Sequence, residues 1–252
     1  MKMVRASFQN ICLSIMELFM IRRIAKQVTS RFRITGNEHL EAAFAAGKGI
    51  VLVISHLGSW EYLSFLPYMT QRAWSVIVKK IKNLYVNKTV DHLRRSTSLQ
   101  PLLKSGSIRK VLQELHANHG VAVLIDQWAG DEGLWLEFFN HETSTTSIPA
   151  RLAKQTGCAL IPAYCLRRPD GRYEILIEEP LPWDSKQEDW EAQITGRLNR
   201  ILEKKIREYP EQWCWTHRRW KSKPIDLRGT AVPGKKTKTT PSSNSTNQRR
   251  SE

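Results

Sequence analysis

The stretch "SHLGSWE" places a histidine, His56, five residues before a carboxylate, Glu61, directly after a run of apolar residues. A carboxylate on one imidazole nitrogen fixes the tautomer and raises basicity at the other, which is the base-plus-orienter half of a catalytic triad. On one regular helix, five residues at about 100° each leave the two side chains about 140° apart and out of contact. If His56 instead stands in the turn before the helix, freed by Gly58, the Glu61 side chain can fold back to the ring. Ser55 and Ser59 are close by, but no G-x-S-x-G elbow occurs in the chain. A His/Glu pair without a protein nucleophile suits direct deprotonation of a substrate hydroxyl. A helix-capping histidine beside a surface glutamate has the same spacing.

A second apolar run, "VAVLID", ends in Asp126-Gln127. Metal chemistry finds less support. "HANH" offers His116 and His119 with no third ligand nearby, and reads as a solvated helix end. Cys12, Cys158, Cys165 and Cys214 lie far apart without CxxC spacing, which argues for a reducing compartment and against a disulfide framework or a zinc site.

The elements that must position these residues alternate in type. Residues 49–55 and 121–126 are continuous apolar runs, as in strands covered on both faces. Residues 158–166 follow a helix-like "IPARLAKQTG" that ends at Gly157, a natural C-cap. Residues 172–179 follow the turn "RPDG" and are expected to pair with their predecessor as a hairpin. Helical patterns occupy "SIRKVLQELHANHG", with Ile108, Val111, Leu112 and Leu115 on one face, and "WEAQITGRLNRILEKKIREYP", halted by Pro210. This alternation predicts a single α/β domain with a central, mainly parallel sheet flanked by helices. In such sheets chemistry gathers where strands end, which puts His56 and Asp126 at the same edge.

Outside that domain, residues 1–33 read as an amphipathic basic helix. Phe8, Ile11, Ile15, Leu18 and Phe19 recur at helical spacing, interrupted by Asn10, Ser14 and Glu17 and followed by Arg22, Arg23 and Lys26. The run is short for a spanning segment, which needs about 20 predominantly apolar residues, and lacks a small-residue cleavage site. It is expected either to lie in a membrane interface or to dock on the body, the basic flank leaning toward anionic headgroups. Residues 229–252 carry five Lys or Arg against one Glu, with almost no apolar residues, and read as a disordered basic tail.

The chain of 252 residues is 41% hydrophobic and 25% charged, enough for a sizeable core. Its formal net charge of +15 implies an anionic partner: nucleic acid, an anionic membrane surface or an acidic protein. No recognition helix or RNP motif accompanies the charge, so nucleic acid is not the expected partner.

"SHLGSWE" resembles the H-x4-D/E motif of lysophospholipid acyltransferases, and its "HLG-x-WE" context looks most like the bacterial lipid A biosynthesis (lauroyl/myristoyl) acyltransferases. Four further blocks resemble that family in the same order: "VLIDQ"; "FFN" with "TTSIPARLAKQTGCALIPAY"; "RPDGRYEILIEEPL"; and "YPEQWCWTHRRWK". The resemblance runs over residues 36–224 and implies transfer of a fatty acyl chain from acyl-acyl carrier protein or acyl-CoA to a hydroxyl of a lipid acceptor, without metal or organic cofactor. The acceptor implied is a lipid A precursor or related glycolipid, with a lysophospholipid or an aminolipid as alternatives; a thioesterase using the same base on water is a further reading. His56 would be the general base, with Glu61 orienting it. Arg94 or Arg95 would bind acceptor phosphate or steady the oxyanion. Asp126 and Gln127 would correspond to the family's strand-terminal acid and amide. The place implied is the cytoplasmic face of an inner membrane, peripheral or weakly anchored. Two positions depart from the family: Ser98 and Asn140 stand where it usually has glycine. The aromatic-basic segment 213–221 suits a membrane interface or a packed helix end with a basic rim, and His217 within it reads as structural.

Overall fold

The computed structural model describes residues 2–131 and 133–222; the expected tail at 229–252 lies outside them. In chain order a long helix α1 (Lys2–Ala25) and a short turn of helix α2 (Val28–Arg31) lead into β1 (Phe32–Thr35), α3 (Asn37–Ala45) and β2 (Ile50–Ile54). A 3₁₀ segment, Trp60–Phe65, runs into α4 (Leu66–Thr70), followed by β3 (Trp74–Val78), α5 (Leu84–Arg95), β4 (Gln100–Leu103), α6 (Ile108–His116) and β5 (Gly120–Leu124). A hairpin of β6 (Leu134–Phe138) and β7 (His141–Thr145) precedes α7 (Ile148–Thr156), β8 (Ala159–Arg167), β9 (Tyr173–Ile177) and α8 (Trp190–Glu208).

Seven strands form one sheet in the order β1-β9-β8-β2-β5-β3-β4, while β6 and β7 pair separately. Pairing is parallel throughout the large sheet except between β8 and β9, the hairpin expected at "RPDG". Its turn needs Gly171 at φ 77°, in the left-handed region where a side chain is strained.

The apolar run of β2 is explained by its central place, because both faces are covered. Ile50, Leu52 and Ile54 pack with Leu40 and Phe44 of α3, with Tyr62 and Phe65, and with Ile21 and Ile24 of α1. Val51 and Val53 pack on the other side with Leu115 of α6, Leu152 of α7 and Leu198 of α8. Burying each such side chain contributes about 1.5–3 kcal/mol, so the strand that carries the site is also the most firmly held. The arrangement is the single α/β domain expected from the alternation of patterns.

The N-terminal helix corrects the reading of its length. With 24 residues it is long and apolar enough, by length and composition, to cross a membrane. Its orientation is inverted relative to a docked amphipathic helix. Ser7, Asn10, Ser14 and Glu17 are buried, whereas Phe8, Ile15, Met16 and Phe19 are more than half exposed.

Candidate active site

The site starts from strand register. Ile54 at the end of β2 pairs with Leu124 at the end of β5, and the amide of Ile125 donates to the Ile54 carbonyl at 3.1 Å. Two residues beyond each strand end, His56 and Asp126 are thereby brought side by side. Oδ1 of Asp126 accepts from His56 Nδ1 at 2.8 Å, and Oδ2 accepts from the His56 amide at 2.9 Å. A third donor is the indole of Trp213, also 2.9 Å from Oδ2.

Burial works against charge on Asp126, but the His56 imidazole and the Trp213 indole outweigh it and hold the carboxyl down at about 2. Burial likewise opposes protonation of His56, and the adjacent Asp126 carboxylate more than offsets it, so the imidazole lies above its ordinary 6.5. With Nδ1 committed to Asp126, Nε2 is left as the basic nitrogen, with the Gln127 amide 3.4 Å away. Trp60 stands edge-on to the ring at 5.1 Å.

Glu61 requires a correction. The carboxylate on the His56 ring comes from Asp126, seventy residues along the chain, and not from Glu61. Gly58 does free the turn, at φ 64°, and His56 does precede the helix. Glu61 then points to α5, where Arg94 donates to it through Nη2 at 2.6 Å and Nε at 3.0 Å. Burial opposes the charge of Arg94, and Glu61 overcomes it and raises the guanidinium above its ordinary value. Arg94, His56, Glu61 and Gln127 line one cavity. Arg95 is exposed and outside that lining, so of the two arginines the geometry brings Arg94 to the site.

The cavity measures about 960 Å³. Leu52, Ile54, Leu66, Trp74 and Val76 give it an apolar floor, and Lys79, Lys80, Lys104 and Lys221 bring positive charge to its wall. His217 also lines it; burial lowers its imidazole below the ordinary value, against the pull of Asp126.

Two residues escaped the sequence reading. Trp213 is 2% exposed and holds Asp126. Arg219 is fully buried and donates to the carbonyls of Gln127 and Ser144 at 2.6 and 2.7 Å, which fixes the chain next to Asp126. The aromatic-basic segment is therefore packed in the core at these two positions, with Trp215 and Trp220 more than a third exposed. The available signal was the unusual density of Trp and Arg in "WCWTHRRWK".

The fold and site define an α/β domain that ends its central strand in a partly exposed histidine paired with a buried aspartate, set over a cavity with an apolar floor. Residues 1–222 match the bacterial lipid A biosynthesis acyltransferases, and the chain belongs to that family. It is similar to a phosphatidylinositol mannoside acyltransferase of Mycobacterium tuberculosis (strain ATCC 25618 / H37Rv), 32% identical over 150 residues, which cover 57% of this chain and 46% of that protein. The corresponding protein of Mycolicibacterium smegmatis is 27% identical over 187 residues, 73% of this chain and 60% of the relative. The lipid A biosynthesis lauroyltransferase of Escherichia coli (strain K12) is 28% identical over 232 residues, 88% and 73% of the two chains. The chain thus spans about half the length of the Mycobacterium tuberculosis relative, and more of the Escherichia coli one.

Proposed function

We propose that the protein transfers a fatty acyl chain from an acyl thioester to a hydroxyl of a glycolipid acceptor such as a lipid A precursor. The observation that carries this reading is the His56–Asp126 pair, whose Nε2 is contacted, among the described residues, only by the long Gln127 bond and whose histidine lines a cavity with an apolar floor, in a chain of this family. Nε2 takes the proton of the acceptor hydroxyl, and the oxygen attacks the thioester carbonyl. The carbon–sulfur bond of the tetrahedral adduct then breaks, and the departing thiolate takes the proton back from His56. The products are one ester and one thiol, with no acyl-enzyme. Asp126 is the positioning residue that stabilises the imidazolium. Arg94, with two of its nitrogens engaged by Glu61, offers the third to an acceptor phosphate or to the developing oxyanion. The apolar floor suits the acyl chain.

The donor we favour is acyl-acyl carrier protein, because the lysines at the cavity complement an acidic carrier; acyl-CoA is the second candidate. No organic cofactor or metal enters this chemistry. The place we propose is the cytoplasmic face of an inner membrane, where donor and lipid meet.

Purified protein incubated with acyl-acyl carrier protein or acyl-CoA and bacterial membrane lipids, analysed by mass spectrometry, tests the proposal. A lipid gaining one acyl mass with wild type and not with His56→Ala is expected. Free fatty acid as the sole product would replace the transferase by a hydrolase. Equal lipid profiles with both proteins would remove the reading altogether.

A further inference from the structure

The helix α1 is inside out. Its outward side carries Met3, Val4, Phe8, Leu13, Ile15, Met16 and Phe19, each at least 45% exposed. Its buried stripe is polar through Ser7, Asn10, Ser14 and Glu17 and turns apolar only at Ile21 and Ile24, all at the spacing of one helix face. Burying polar groups costs free energy unless every one is bonded, so such a stripe needs dedicated partners.

Those partners are the two segments that hold the catalytic pair. Ser14 shares its hydroxyl proton between the Asn10 carbonyl at 2.9 Å and the Gly58 carbonyl at 3.3 Å, and Glu17 accepts from the hydroxyl of Ser59 at 3.0 Å. Gly58 and Ser59 are the second and third residues after His56. On the other segment, Asn10 donates to the carbonyl of Gln212 at 2.8 Å and Ser7 to that of Trp213 at 3.3 Å. Trp213 is the residue whose indole holds Asp126. The two segments also bond to each other, Gly58 to Gln212 at 2.8 Å and Cys214 to His56 at 3.0 Å.

Glu17 is the centre of this contact. Arg167, at the end of β8, donates to it through Nη2 at 2.6 Å and Nε at 2.7 Å, and the same guanidinium reaches Ser14 and Asn10. Tyr173 donates its hydroxyl to Glu17 at 3.1 Å; burial and the Glu17 charge push that phenol up to about 12, so it stays a donor. Four hydrogen bonds from three side chains therefore converge on one carboxylate lying beneath the His56 turn.

The outward face has its own complement. Glu17 is the only acidic residue of α1, and it points inward, while Arg22 and Arg23 close the helix. An apolar stripe without acidic residues, ending in cations, suits an anionic bilayer interface, into which such a face sinks about 5–10 Å.

We propose that α1 is a lipid-seated clamp on the catalytic pair: its outer face lies in an anionic bilayer, and Glu17 on its inner face is a positioning residue for His56 and Asp126. The inference rests on the proposed role of that pair. Seating the outer face stabilises the docked helix, and the docked helix fixes the turn after His56 and the segment bearing Trp213. The protein is thereby made a better catalyst at a lipid surface than in solution.

The test reads the site without turnover. Hydrogen exchange at residues 57–59 and 212–214 is measured with and without vesicles of phosphatidylcholine and phosphatidylglycerol. Exchange slowed roughly tenfold by vesicles in wild type, and unchanged by them in the outward variant Phe8→Ser/Phe19→Ser, is expected. In parallel, NMR titration of His56 in Glu17→Gln should show its pKa falling toward the ordinary value as the Asp126 contact loosens. If Glu17→Gln does not fold, Ser59→Ala and Ser14→Ala, which each remove a bond to the turn, are titrated instead. Wild type that fails to bind vesicles, exchange indifferent to vesicles, or a His56 titration identical in the folded variants would overturn the inference. Capture of α1 by a soluble protein in preference to vesicles would do the same. None of these readouts depends on acyl transfer, so the functional reading stands or falls separately, on His56→Ala in the lipid assay.

Discussion

Both oxygens of Asp126 are committed, Oδ1 to the His56 ring and Oδ2 to the His56 amide and the Trp213 indole. His56 acts as a base only when neutral, so activity should rise with pH through an inflection above 6.5. Asp126→Asn removes the charge that raises it. Its pH–rate profile should move to lower pH, and its maximal rate should fall about 10²–10⁴-fold. Stability follows the same groups. A carboxyl lowered from 3.8 to about 2 stabilises the fold fully above its unfolded value, and that contribution is lost as pH falls toward 2. The difference in Tm between wild type and Asp126→Asn should therefore narrow from pH 5 to pH 2. Ser98 and Asn140 have φ of 65° and 59°, in the left-handed region that favours glycine. Ser98→Gly should stabilise by about 1 kcal/mol, a rise in Tm of about 2–4 °C. At this scale His56 was legible in the sequence, because a histidine after an apolar run announces a strand tip. Its partner was legible only as a neighbour, since Asp126 was expected at the same sheet edge but not on the ring. Local spacing favoured Glu61, whereas Asp126 reaches the ring through the register of β2 on β5, which leaves no local trace.

Among the elements, the turn after β2 carries the strongest constraint. A Cβ on Gly58 would lie 2.1 Å from the carbonyl oxygen of Cys165, and its φ is left-handed. Gly58→Ala should cost at least about 2 kcal/mol, read as a fall in Tm of about 4–8 °C, and should lower turnover by disturbing His56. Legibility varied with burial. β2, β5 and β8 were readable because two-sided burial demands continuous apolar runs, and β9 because its turn has distinctive chemistry. β3 and β4 were missed: Ser75 interrupts the first, and the second is an edge strand of four residues carrying Pro101, a residue that edges tolerate. In α1 the apolar period was legible, but a helix that buries its polar stripe reads like one that buries its apolar stripe until its partners are known.

For the whole molecule, the net charge of +15 makes lipid binding a test of two forces at once. Partition onto vesicles containing phosphatidylglycerol should weaken between 0.1 and 1 M salt, as the screening length falls from about 10 Å to about 3 Å. A residual, salt-resistant part should disappear in Phe8→Ser/Phe19→Ser, separating headgroup attraction from apolar burial.

The separations along the chain carry one more consequence. Glu17 meets Arg167 across 150 residues, and Ser7 meets Trp213 across 206. Translation proceeds at about 5–20 residues per second. Helix α1 is therefore made on the order of ten seconds or more before Arg167 and Trp213, the distant members of the set that bonds its polar stripe. During that interval its polar stripe lacks those distant partners, and its apolar side is the one that water rejects. A helix made this long before its distant partners completes its docking late, and a bilayer within reach of the nascent chain would hold its apolar side in the meantime.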